Sequence, residues 1–386
     1  MPLAFAAWAG CSGSGSSDGA QPSDAGPDVP VAPPVLPPPP PLVEPQDSGP
    51  PPRDCSKDML KDGLYQHLDC TGLYADFNAR TLATGVKNYK PGVEFWSDGA
   101  EKSRFLFLPP GSKIDTSTFD EWKWPKGTKV WKEFKVDGKA VETRLYQKAD
   151  DGSWQRTTYL WDDTGTVASR LDAGRKIPRD GGPSYEVPST GYCDECHQGR
   201  VDALLGLEPV NLALSTAAGV TLASLVADGA LSNPPSETTL KFPEDPRLAV
   251  GVAPPALGWL HVNCGPCHNP NVNATAVFTN LFFLARASQL FVDGGVGTAT
   301  ALDPYTKAVC VKSPDRQIPD GGGVFWTYIN GTSPGTSLVS VLSNQRAVEP
   351  DFPTTANQMP PIITHRADTA GHALLDAWIT ALPACP

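Results

Sequence analysis

The chain has 386 residues and a formal net charge of −11, and no apolar run reaches the length of a membrane-spanning helix. A basic nucleic-acid footprint and a helical bilayer span are therefore both excluded, and no nucleic-acid partner is expected. Its 41 prolines are unevenly placed, and the Pro- and Gly-rich front of the chain differs in kind from the rest.

Residues 1–10 read as a truncated export signal. Ala7-Trp8-Ala9-Gly10-Cys11 places small residues just before a cysteine, and a Gly/Ser/Pro tether follows, as in a bacterial lipobox. Lipidation of Cys11 and membrane attachment through that lipid are expected, although the short start lacks the basic residues of a complete signal. Residues 11–54 form the tether, expected to be disordered in front and polyproline-like at its proline run, because such a composition cannot bury enough apolar surface to fold.

Residues 55–190 predict a β-rich domain. Short runs rich in aromatic and β-branched residues cover 104–108, 128–134, 141–146 and 154–161. Turn signals separate them: Pro109-Pro-Gly, Pro125-Lys-Gly, Asp137-Gly and Asp150-Asp-Gly. This rhythm suggests an antiparallel sandwich or barrel, with the aromatics in its core. Residues 191–245 hold a first attachment motif, reached from an extended segment at 185–188, and an apolar stretch around 212–231 that contains a helix. Residues 246–386 read as mainly α-helical: a helix over 256–263, another over 337–342, and a last one over 369–382 with Ala373, Leu374, Ala377, Trp378 and Ala381 at helical spacing. The fold class expected is α+β, an antiparallel β-rich N-terminal domain followed by a mainly α-helical one.

The nine cysteines sort by spacing. Cys193-Asp-Glu-Cys196-His197 and Cys264-Gly-Pro-Cys267-His268 are two copies of the c-type haem attachment motif. Two thiols two residues apart can form thioethers to both vinyl groups of one haem, and the adjacent histidine then meets the iron as its proximal ligand. A zinc site built from the four cysteines is the rival, but the pairs are far apart in sequence and zinc does not require a histidine after each. A thioredoxin-like site would need a βαβ unit, and none is evident. Two covalently bound haem c groups are expected. Cys55, Cys70, Cys310 and Cys385 remain; four cysteines allow three pairings, and 55–70 with 310–385 is the one expected in an oxidising compartment.

The order helix, Cys-x-x-Cys-His, Met359-Pro-Pro, and C-terminal helix resembles a class I cytochrome c domain. The resemblance implies Met359 as the second ligand of the second iron, and Trp259 and Trp378 as aromatics where the first and last helices cross. Met359 is one of only three methionines, with Met1 and Met59. More widely, residues 60–382 are similar to a family of exported bacterial dihaem c-type cytochromes. That similarity rests on Phe95-Trp-Ser-Asp-Gly-Ala-Glu-Lys-Ser-Arg-Phe105, Leu108-Pro-Pro-Gly111, Val141-Glu-Thr-Arg-Leu145, Tyr185-Glu-Val-Pro188, Val262-Asn-Cys-Gly-Pro-Cys-His-Asn-Pro270 and the Met359-Pro-Pro segment. It implies one-electron transfer with redox partner proteins in the cell envelope, periplasmic or anchored. Asp98, Lys102 and Arg104, polar members of the first segment, are expected to be solvated or structural.

The distal ligand of the first iron is open. His67, His261, His365 and His372 are candidates, with His261 preferred, and a five-coordinate iron is the alternative. That choice separates an electron carrier, with both irons six-coordinate, from a dihaem peroxidase or oxidase with an open first haem. A haem-containing binding module of an envelope redox complex is the third reading.

Overall fold

Hairpin geometry organises the larger part of the molecule. In the computed structural model, which describes residues 52–292, 295–314, 318–320, 323–325, 327–346 and 358–386, four long strands run antiparallel as near neighbours in sequence. The signal expected at 1–10, the lipid-bearing Cys11 and nearly all of the tether lie outside the described residues.

The chain opens with the ribbon β1 (Tyr74–Asp76) and β2 (Thr81–Leu82), then β3 (Val86–Lys90), β4 (Glu101–Phe107), β5 (Lys129–Val136), β6 (Lys139–Lys148), β7 (Trp154–Trp161) and β8 (Ala168–Arg170). The tight link from β5 to β6 is Asp137-Gly138, with φ of 51° and 78°. Two positive φ values in a two-residue loop match the twist of the paired strands, and Asp-Gly suits them. A second ribbon, β9 (Arg175–Ile177) with β10 (Tyr185–Val187), leads to α1 (Cys193–His197) and α2 (Pro209–Ala213). Then β11 (Ala218–Gly219) returns to pair with β3.

The result is a seven-stranded antiparallel sheet in the order β11-β3-β4-β5-β6-β7-β8. The sandwich or barrel expected from the strand rhythm is not formed. The sheet is open, and non-sheet segments cover both faces. One face packs Phe105, Trp131, Leu145 and Tyr159 against Leu64, Leu68 and Leu73. The other carries Leu106, Val130 and Tyr146 and meets the segment from Leu204 to Leu231. From Gly49 to Pro386 the chain forms one compact unit.

The remaining helices are α3 (Leu222–Ala227), α4 (Ala253–Asn263), α5 (Ala287–Leu290), α6 (Asp303–Ala308), α7 (Leu338–Asn344) and α8 (Thr369–Ala381). The protein is thus α+β, with the helical part C-terminal. Its core gathers Leu257, Leu260, Phe283, Leu375, Trp378 and Ile379. Helix α4 packs across α8 where Gly371 faces the Trp259 ring: a Cβ on Gly371 would lie 1.9 Å from Trp259 Nε1. Asp368 caps α8 by accepting from Gly371 N–H (2.9 Å) and also accepts from Trp259 Nε1–H (2.8 Å). Trp378 Nε1–H donates to Tyr305 Oη (2.9 Å). Sulfurs at bonding distance join Cys55 to Cys70 and Cys310 to Cys385. Among the described residues no helix is long and apolar enough to cross a membrane.

Candidate haem-attachment site

Each Cys-x-x-Cys-His sequence forms one helical turn, and local chemistry fixes where its histidine points. In the first motif, α1 carries all five residues. The chain beyond it turns back through Ala203, whose φ of 50° bends the backbone sharply. The Ala203 carbonyl thereby meets His197 Nδ1 at 2.5 Å. In the second motif Cys264 caps α4, and His268 N–H donates to the Cys264 carbonyl (2.9 Å). His268 Nδ1 faces the Leu281 carbonyl at 3.2 Å. A carbonyl only accepts, so in both rings Nδ1 carries the proton and Nε2 holds the lone pair. Metal-binding histidines are commonly oriented by this kind of bond from the other ring nitrogen.

The two motifs interlock. The Cys196 and Cys267 side chains are close enough for each to shift the other's pKa, Cys196 down and Cys267 up. Cys267 Sγ–H donates to the Glu195 carbonyl (3.3 Å), as does Thr275 Oγ1–H (2.5 Å). Asn271 Nδ2–H donates to the Gly199 carbonyl (2.9 Å). Gly199 sits so close to the second motif that a Cβ there would fall 1.9 Å from the Pro266 carbonyl oxygen. The buried Asn269 braces the second turn by donating to the carbonyls of Gly265 (2.8 Å) and Pro266 (2.9 Å).

Among the described residues the four motif cysteines are the free ones, whereas Cys55, Cys70, Cys310 and Cys385 are paired. Burial pushes the Cys193 thiol up, and the Cys264 thiol up to about 12. By contrast, Cys267 beside it draws the Cys196 thiol down. The cysteines do not gather as a zinc cluster: among the described residues no three His, Cys, Asp or Glu side chains converge on a metal-ion position. Cys196 and His197 are desolvated by their surroundings yet keep partial exposure. Burial, with Lys132 nearby, lowers the His197 pKa to about 3, so its imidazole is neutral, the form that binds a metal.

No family model, curated protein or solved structure matches this chain. The chemistry of the site therefore rests on its own residues.

Met359 is partly buried and packs against the C-terminal core, as Cys264 also does. His261 is placed differently from the expectation that it is the distal ligand of the first iron. It is 2% exposed, its Nδ1 accepts from Ala285 N–H (3.0 Å), and Nε2–H donates to Glu208 Oε1 (3.2 Å). Both nitrogens are engaged, which makes it a core polar residue rather than a ligand. The other candidates are engaged too. His67 meets Asp58 (2.6 Å), His365 meets Glu186 (2.7 Å), and His372 meets the Ser340 carbonyl (3.0 Å) and Asp376 (3.4 Å).

Residues not singled out from the sequence surround the first motif. Tyr146 stacks on His197 with ring centroids 4.3 Å apart, and Arg156 is ion-paired with Asp194. Lys132 and Arg144 stand on the same sheet face. The signal that could have found them is the two-residue strand period: Val130, Lys132 and Phe134 alternate onto one face, so Lys132 falls between two core positions. Arg104 is buried and ion-paired with Glu94, the structural one of the two roles expected for it. Asp98 is also buried and has a structural role: it accepts from the N–H groups of His365 (2.8 Å) and Arg366 (3.1 Å).

The residues fit a covalently attached haem. The donor set has two thiols and one oriented imidazole per motif, and a buried guanidinium nitrogen, Arg104 Nη2, lacks a partner among the described residues.

Proposed function

We propose that this protein is a dihaem c-type cytochrome that passes single electrons between redox partners in the bacterial cell envelope. The observation that carries this reading is the pair of motif histidines, each with Nδ1 tied to a main-chain carbonyl and Nε2 holding the lone pair, beside two unoxidised thiols. Cys193, Cys196 and His197 would hold the first haem, and Cys264, Cys267 and His268 the second, with Met359 completing the second iron. When bound, each haem supplies a one-electron couple whose potential depends on its ligands, burial and hydrogen bonds. The chain's part is to hold both groups covalently, keep the imidazoles neutral and oriented, and exclude solvent. The packing of the two motif segments, Cys267 against the Glu195 carbonyl and Gly199 against Pro266, supports electron exchange between the sites, because groups carried on these turns would be neighbours. The lipid anchor at Cys11 and the envelope location belong to the same proposal.

A second reading is favoured by one observation. His261, the preferred distal candidate, has both ring nitrogens engaged by Glu208 and Ala285 N–H, so it is not presented to the first iron. An open first iron would make the protein a peroxidase or oxidase, with the second haem as its electron source.

The test is a pyridine haemochrome assay with a denatured mass, on protein matured by a cytochrome c assembly system. Two haems retained through denaturation support the proposal; no covalent haem refutes it. Cyanide binding to the ferric first haem would then favour the second reading. Cys11→Ala should release the protein from membranes.

A further inference from the structure

The sheet face beneath the first motif carries a rung of cations. Arg104, Lys132 and Arg144 stand directly opposite one another on β4, β5 and β6. Lys102 lies two residues along β4, on the same face. Two carboxylates answer them. Glu142 is taken up by Arg144 (2.6 and 2.8 Å) and by Tyr185 Oη–H (2.7 Å). Glu94 accepts from Arg104 Nη1–H (2.8 Å) and pairs with Lys90 (3.4 Å). Lys102 Nζ donates to the Phe95 carbonyl (2.6 Å).

That leaves Lys132 without an ion pair among the described residues. Its ammonium lies 5.5 Å from the centre of the Phe95 ring. Burial, then Arg104, Arg144 and Lys102, push its pKa well down, and Cys196 is the one group that raises it. The neighbouring Arg104 Nη2 is buried without a partner. Four cations on one sheet face answered by two carboxylates leave an excess of positive charge, which an anion beside Lys132 would offset.

We propose that Lys132, with Arg104, Lys102 and Arg144, seats the carboxylates of the tetrapyrrole attached at Cys193 and Cys196, and thereby sets that haem's potential above the value it would otherwise have. This rests on the dihaem reading. Lys132 is a positioning residue, and its positive charge opposes oxidation of the iron. The occupant is an anion bordering the first motif. A diffusible anion such as inorganic phosphate shares that chemistry, and the experiment separates the two sources.

The experiment uses the full haem-loaded chain. Haem per chain is counted first. Both potentials are then measured by spectroelectrochemical titration, with the first haem's wave assigned as the one missing in Cys193→Ala. Lys132→Gln should keep two haems and shift the first to a lower potential. The expected change is about tenfold in its oxidised-to-reduced ratio at fixed poise, ~59 mV for a one-electron couple. The second haem should not move, and Lys132→Arg should restore the first. If Lys132→Gln does not fold, Lys102→Gln on the same face reads a smaller shift of the same sign. Two haems with an unmoved first potential overturn the proposal. So does a wild-type first potential that follows added phosphate and loses that response in Lys132→Gln, since a diffusible anion then fills the rung. Fewer than two haems in the wild type would overturn the dihaem reading instead.

Discussion

Gly371→Ala is a severe test of the α4–α8 crossing because two effects oppose each other in sign. Helix propensity alone favours alanine by up to about 1 kcal/mol. The new methyl, however, would stand 1.9 Å from Trp259 Nε1 and 2.3 Å from Asp368 Oδ2. Normal contact is roughly 3.5 Å, so the helices must part, or Trp259 must turn, by about 1.5 Å. Either movement breaks the Trp259–Asp368 hydrogen bond. Overpacking costs about 1–3 kcal/mol, and a hydrogen bond to a charged group about 1.5–3 kcal/mol. After the propensity gain, a net loss of about 3 kcal/mol is expected. In a unit of this size that lowers Tm by about 4 °C. Guanidinium and thermal unfolding followed by tryptophan fluorescence would measure it. Trp259→Leu removes the obstructing atom, so the double variant should be more stable than the sum of the single effects by at least about 1 kcal/mol. A Gly371→Ala protein as stable as the wild type, or strict additivity, would refute the reasoning.

Three further predictions concern pH, covalent links and ligation. Hydrogen bonding to Glu186 raises the His365 pKa above its ordinary ~6.5. The pair's contribution to stability is complete below about pH 6.5 and is lost as pH rises through the raised folded value. His365→Asn should flatten that part of a stability-against-pH curve, and an unchanged slope would count against the pair. The Cys310–Cys385 link spans 75 residues and Cys55–Cys70 spans 15; on chain-entropy grounds their removal costs about 4 and about 3 kcal/mol. Denaturant unfolding of the two double-alanine variants should rank them in that order. Met359→Ala should leave the haem count unchanged and abolish the thioether–iron charge-transfer band at the red end of the oxidised spectrum; a surviving band would retire Met359 as a ligand.

Local chemistry was the part of the fold open to sequence reading. The run at 154–161 coincides with β7, the Asp137-Gly138 signal is the β5–β6 turn, and the helices expected over 256–263 and 369–382 correspond to α4 and α8. The pairing of Cys55, Cys70, Cys310 and Cys385 followed from having few partners to choose among. Long-range pairing was hidden. The two residues of β11 carry no strand signal, being Ala218-Gly219, and are held in the sheet only by β3. The sheet therefore read as a sandwich or barrel. In the candidate site, spacing picked out the six motif residues. The approach of the two motifs depends instead on Gly199 lying against Pro266, a contact between distant segments. His261 looked available because sequence does not reveal that Glu208 and Ala285 N–H occupy its ring. Lys132 carried no signal of its cationic neighbours in the sequence, because its place beside Arg104 and Arg144 depends on strand register.

The Asp98 clasp bears on how the loop after Met359 can open. Asp98 holds the N–H groups of His365 and Arg366, and Trp96 Nε1–H donates to the Arg366 carbonyl (2.8 Å). These bonds tie a C-terminal segment to the turn that leads into β4. Opening the loop must break all three and bare a buried carboxylate, so it is a sub-global event rather than fraying. In native-state hydrogen exchange the amides of His365 and Arg366 should share one opening free energy, and Asp98→Ala should speed both together.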